Sequence, residues 1–289
     1  MLKIKEAVMQ PYIDHLKIGY HLMYEREHPE YADLIGRVAQ TVIDRISRSD
    51  AAYHDVEHTL LVALAGQAIL QGRQKCCGNV TSQDWLNCMV SLLCHDVGYV
   101  KGACRQDQPE ADCYVTGKGK NLKVLASNST DAALTEHHVD RSKIFVRETF
   151  STWPDFDLET IQRNIELTRF PVPNDAEHQD TINYPGLVRA ADLIGQLADP
   201  RYLEKLPALF QEFEENGTNK VLGYSHPQEL RANYPSFFWN VVHGYVKSSF
   251  LYLEQTRAGK QILANLFANV FLVERELQQV STPSLAVVG

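Results

Sequence analysis

Apolar positions along the 289-residue chain recur mostly at intervals of three and four, the period of a helix with one buried face. Trp85 to Tyr99 is the strongest case: Leu86, Met89, Val90, Leu93 and Val97 share a face, Thr81 and Ser82 offer caps, and Gly98 offers a stop. Residues 5–24 and 31–47 follow the same rule, with Leu34, Ile35, Val38, Val42, Ile43 and Ile46 lining one side of the second. The spacing predicts further helices around the apolar run Leu60 to Leu70, over 131–150 behind Ser129 and Thr130, and over 157–169 and 184–200. Two long ones follow, at about 235–256 and 259–279. Strand-like alternation is scarce, and Leu, Ala, Glu and Gln crowd the periodic stretches, so the expected fold class is all-α.

Between helices the pattern changes. Residues 100–127 lose the period, which predicts a long loop or a pair of short helices; connections of that length are uncommon unless functional or mobile. The GKGK run at 117–120 lacks Walker-type spacing and reads as solvated. A polar loop is expected from the FPVPND turn to Tyr184, and the tail from Ser281 to Gly289 is expected to fray. With no repeat and no convincing boundary, residues 1–289 read as a single domain. Its site-bearing core covers about 50–200, with N-terminal helices in 5–48 and C-terminal helices in 235–279 packed on it.

Composition narrows the function classes. A hydrophobic content of 44% can fill a substantial core, and a net charge of −8 argues against a long nucleic acid as the main partner. No apolar run reaches the 18 residues of a membrane span and the first residues lack a signal-peptide core, so no membrane partner and a cytoplasmic location are expected. The six cysteines form no C-x-x-C pair and read as free thiols. A homodimer stays possible.

Several titratable residues interrupt the apolar faces. If the third helix already includes His54, then His54 and His58 stand one turn apart; two surface histidines at a helix start fit the same pattern. His95 and Asp96 end the strongest apolar run. Neighbours on a helix diverge by about 100°, so one ion reaches both only from beside the helix end, where the partial negative charge favours a cation. His137 and His138 cannot both be core residues. Asp192 lies among Leu187, Ala191, Ile194 and Leu197, with small neighbours that admit another helix, and a buried carboxylate there needs a partner or a metal.

The ordered series Tyr53 to Thr59 (YHDVEHT), Leu92 to Gly98 (LLCHDVG), Leu134 to His138 (LTEHH) and Arg189 to Pro200 (RAADLIGQLADP) resembles the HD-domain metal-dependent phosphohydrolases, most closely the cyclic-nucleotide phosphodiesterase type. The resemblance implies a helical bundle in which His58, His95, Asp96 and Asp192 bind one divalent metal and Asp96 bridges to a second. It implies that His54 is the general acid and that His137 and His138 line the second-metal or phosphate side. The implied cofactors are two divalent ions (Mn, Fe, Zn, Co, Ni or Mg), with imidazole and carboxylate donors favouring transition metals. The implied reaction is hydrolysis of a phosphodiester or phosphomonoester of a nucleotide-like small molecule, with a metal-bridging hydroxide as nucleophile. A di-iron HD oxygenase and a non-catalytic nucleotide-binding sensor are the alternatives. The chain departs from the family pattern at Asp55, where the family has Asn, and at Tyr99, where it has a second histidine. Near FFWNVVH at 237–243, Tyr234 falls where the family carries a purine-binding glutamine, and Tyr234 and Phe238 become candidate pocket residues.

Overall fold

The structure, a computed structural model, describes residues 2–25 and 27–281; the expectation for the tail from 282 onward lies outside the described residues. The fold is all-α: α1 Leu2–Tyr24, α2 Glu30–Ile46, α3 Val56–Cys77, α4 Ser82–Cys94, α5 His138–Phe150, α6 Leu158–Glu166, α7 Tyr184–Leu197, α8 Tyr202–Glu215, α9 Thr218–Leu222, α10 Pro227–Phe237, α11 His243–Leu253 and α12 Arg257–Ser281. None of the described helices is long and apolar enough to cross a membrane.

Helix α3 and helix α7 cross at the centre, with α4 and α11 against them and α1, α2, α5 and α6 packed around. Glycine makes the central crossing possible: a Cβ on Gly195 of α7 would stand 2.5 Å from the Val62 Cα of α3. One contiguous cluster of buried apolar side chains runs from Ile13 to Val273.

Caps place several helix starts where the sequence suggests. Thr81 and Asp84 form a reciprocal capping box at α4, and Asp157 caps α6. Several expectations change. The run from Trp85 does not continue to Tyr99; α4 ends at Cys94, and a 3-10 turn follows at Val97–Tyr99. Gly98 acts by small size rather than as a helix stop, because a Cβ there would lie 1.9 Å from the His138 carbonyl oxygen of α5. The expected helix over 131–150 is a 3-10 segment Asp131–His137 followed by α5.

The segment 100–127 holds a small antiparallel hairpin, β1 Cys113–Val115 with β2 Leu122–Val124, in the register Tyr114 opposite Lys123. Arg141 of α5 anchors it. Its fully buried guanidinium donates to the carbonyls of Gly98, Val100 and Val115 and pairs both terminal nitrogens with Asp107, each at 2.9 Å. Removing one partner of a buried ion pair leaves an uncompensated charge, at a cost of about 3–5 kcal/mol. Asp107→Ala is therefore expected to lower unfolding free energy by about that amount in urea titrations. A loss below about 1 kcal/mol, the range of an exposed pair, would contradict this role.

Candidate functional site

The α3 start is set by Asp55, whose carboxylate accepts from the His58 amide at 3.0 Å. Asn and Asp cap helices equally well, so the Asp55 departure leaves this local structure intact. His54 consequently lies outside α3, so the condition for one helical turn between it and His58 is not met, yet the two rings meet edge to face at 5.4 Å. His95 is the C-cap of α4, and Asp96 leaves helical geometry with φ −107° and ψ 1°. That turn lets two sequence neighbours face one point. Asp192 reaches the same point from α7.

His58 Nε2 lies 3.2 Å from Asp96 Oδ2 and 3.6 Å from Asp192 Oδ1; His95 Nε2 lies 3.1 and 3.4 Å from the same oxygens. Donors bound at about 2.1 Å to one ion stand about 3.0 Å apart at octahedral angles and about 3.4 Å apart at tetrahedral ones. The observed separations fall in and just above that range. His95 Nε2 and Asp96 Oδ2 are buried and, at 3.1 Å, make no well-aligned hydrogen bond to any described residue. Among the described residues His58, His95 and Asp192 form one group of possible metal ligands and His54, His58 and Asp96 a second, the two sharing His58.

Backbone carbonyls fix the histidine tautomers. A carbonyl can only accept, so His95 Nδ1 donates to Leu92 O at 2.7 Å and His138 Nδ1 donates to Thr135 O at 2.5 Å. Each neutral ring then offers its Nε2 lone pair, the usual arrangement of a metal-binding histidine. Burial opposes charge on His95, but Asp96 and Asp192 push its imidazole well above the ordinary range. Burial likewise works against the Asp96 carboxylate, which His95 and His58 hold well below the ordinary range. Two carboxylates facing two imidazoles favour positive charge among them, either a proton or a cation.

His54 is held by a residue the sequence reading missed. Glu212 of α8, 3% exposed, accepts from the Tyr53 amide at 2.7 Å, the His54 amide at 3.1 Å and His54 Nδ1 at 2.5 Å. Burial lowers the His54 pKa, but Glu212 foremost, then Asp96 and Asp192, raise it to about 9. A ring nitrogen of His54 lies within 4.8 Å of ligand atoms on His58 and Asp96. The signal for Glu212 was a charge continuing the buried stripe Tyr202, Leu206, Leu209 of α8. Pro207 inside that helix interrupts its local helix signal.

Tyr99 lies between two histidines. Its ring stacks on His54 at 4.5 Å and 14°, and on His138 at 4.4 Å and 20°. His138 Nε2 is 3.7 Å from Asp96 Oδ1, so His138 stands on the far side of Asp96 from the four-residue cluster. Side chains of His54, Asp192 and His138 keep 15%, 16% and 11% of their surface exposed, whereas that of His95 keeps 1%; the approach is from the first three.

The remaining candidates lie elsewhere. His137 joins neither of the His/Asp groups found among the described residues; burial and the nearby Lys123, Lys118 and Arg141 lower its pKa on the hairpin side. Tyr234 is packed in the core against Tyr202, ring centroids 5.1 Å apart, and its buried hydroxyl has no partner among the described residues. Phe238 is fully buried against Trp239, His243 and Phe267. Core packing explains both, and neither belongs to the His/Asp groups.

No curated protein matches the chain. A family model described as Npun_R2479-like matches residues 2–276, nearly the whole length, and the chain belongs to that family.

Proposed function

We propose that this chain is a divalent-metal-dependent phosphohydrolase of the HD type, acting in the cytoplasm on a small, nucleotide-like phosphoester. The supporting observation is that His58 and His95 each approach both Asp96 and Asp192, beside the Glu212-held His54. Imidazole and carboxylate donors in that ratio suit Mn, Fe, Zn, Co or Ni. An ion bound there supplies Lewis acidity toward a phosphoryl oxygen and acidifies water. Six free cysteines suit a reducing compartment.

The chain's own residues account for the proton. Nδ1 of His54 is engaged by Glu212, so the protonated ring presents Nε2–H on its other edge. That hydrogen can pass to the oxygen leaving phosphorus, and the ring then stays neutral and oriented by the same Glu212 bond. Glu212 remains ionised throughout: burial raises its pKa, but His54 and the Tyr53 and His54 amides hold it below the usual range.

The test is elemental analysis of protein purified without chelator, followed by bis(p-nitrophenyl) phosphate and p-nitrophenyl phosphate hydrolysis with that metal restored. Hydrolysis abolished by EDTA and recovered with metal is expected. No metal-dependent turnover on either ester, or an EPR signal from a mixed-valent iron pair, would turn the reading toward a sensor or an oxygenase.

Cyclic AMP and cyclic GMP are expected to be poor substrates, with kcat/KM below about 10⁴ M⁻¹s⁻¹, the lower end of ordinary efficiency. Purine selection needs a fixed donor and acceptor pair, and the Tyr234 hydroxyl offers neither from inside the core. Faster turnover of either cyclic nucleotide in manganese buffer would overturn this.

A further inference from the structure

Resting on that reading of the site, we infer that Thr135 is a further positioning residue: through Tyr99 it fixes the plane of the His54 ring, it holds His138, and the end of α8 locks it in place. Its carbonyl accepts from His138 Nδ1 at 2.5 Å. Its hydroxyl has one hydrogen and two lone pairs to place. The hydrogen goes to the Ala132 carbonyl at 2.5 Å, a lone pair takes the Asn216 Nδ2–H at 3.2 Å, and the Tyr99 hydroxyl hydrogen-bonds to the same side chain. The Ala132 bond is the ordinary local one of a threonine in a helical turn. The other two reach groups brought in from distant parts of the chain.

Helix α8 supplies one of them. Asn216 ends that helix, and its amide cannot turn around, because Oδ1 accepts from the Thr218 amide at 3.0 Å and leaves Nδ2 for Thr135. Glu215 beside it accepts from the Thr130 amide at 2.6 Å, so the last turn of α8 grips the 3-10 segment Asp131–His137 both at its cap and at Thr135. One turn earlier on the same helix, Glu212 holds His54 Nδ1.

That single bond sets the direction of Nδ1 but not the plane of the imidazole. The plane is set by Tyr99, whose ring stacks on His54 at 4.5 Å and on His138 at 4.4 Å. Thr135 holds the other two rings of this stack, Tyr99 by its hydroxyl and His138 by its carbonyl. Losing the hydroxyl frees Tyr99 to tilt, and with it the Nε2–H that His54 aims at the leaving oxygen; small misplacements of a catalytic group are costly in rate.

The experiment compares the manganese-loaded wild-type chain with Thr135→Val, which replaces the hydroxyl by a methyl group, and Thr135→Ser, which keeps it. Substrates are adenosine 5′-monophosphate and thymidylyl thymidine, whose leaving groups are alkyl, against p-nitrophenyl phosphate and bis(p-nitrophenyl) phosphate, whose anion leaves without a proton. Thr135→Val should lose about tenfold in kcat on the alkyl ester, a share of the roughly 10²–10⁴-fold that a positioned general acid is worth, with KM and bound manganese unchanged and nitrophenyl ester hydrolysis within about twofold. Thr135→Ser should restore the alkyl ester rate. If circular dichroism shows Thr135→Val unfolded, Asn216→Ala, at the half-buried helix end, should give the same selective loss. Equal losses on both ester types, as a loosened fold would give, or no loss on either, would overturn the role of Thr135 and leave the proposed function standing. So would a wild-type chain that turns over nitrophenyl esters alone, since no acid is then in use. No turnover of any ester by the wild-type chain would overturn both.

Discussion

Asp96→Ala abolishes the rise in melting temperature that saturating manganese gives the wild-type chain, while His54→Ala keeps it. Asp96 Oδ2 lies within 3.2 Å of both His58 and His95, closer than any other carboxylate among the described residues. His54 sits beside the cluster with its Nδ1 turned to Glu212. A ligand binding only the native state adds about 2.7 kcal/mol at 100 times its Kd. In a domain of 150 residues or more, each kcal/mol moves Tm by about 2–4 °C, so the increment at stake is about 5–10 °C. Calorimetry with and without manganese measures it directly. Equal manganese-induced shifts in the two variants would remove the division between ligand and acid.

The second large effect is on turnover. His54→Ala should lower kcat on an alkyl phosphodiester by roughly 10²–10⁴-fold, the usual worth of a positioned general acid, at unchanged metal content. The pH profile supplies the sign. Catalysis needs protonated His54, whose pKa Glu212 raises to about 9, so activity should persist through neutral pH and fall as pH rises through the alkaline range. Charge on a bound ion acts in the opposite direction, which makes the comparison between variants the decisive one. Glu212→Gln removes the nearest carboxylate and should move the alkaline limb of kcat toward the ordinary imidazole value of about 6.5. An alkaline limb that stays in place in Glu212→Gln would show that another group donates the proton.

Much of the fold was legible because helix period and caps are local. The α2, α6 and α7 helices follow from three-and-four spacing with few interruptions, and Thr81 and Asp157 cap where their side chains allow. Residues of the candidate site were legible for a different reason: His58, His95, Asp96 and Asp192 are costly inside apolar runs unless they serve each other or an ion. What stayed hidden depends on contacts distant in sequence. The His95–Asp96 turn is decided by α5 packing onto Gly98, more than forty residues away in sequence. Glu212 bonds a loop 158 residues earlier, and only its place in the α8 stripe hinted at burial. The β1–β2 hairpin depends on Arg141 and Asp107 meeting across the chain, which no local pattern announces. Tyr234 and Phe238 were drawn toward a pocket by a short local likeness; aromatic side chains at helical spacing packed into the core instead.

The most direct test of the central claim is anomalous diffraction from crystals grown with manganese and measured across the manganese edge. The account predicts a peak within about 2.0–2.4 Å of ligating atoms on His58, His95, Asp96 and Asp192 together. A map with no peak at this cluster, or a peak reaching any one of the four only through water, would contradict it.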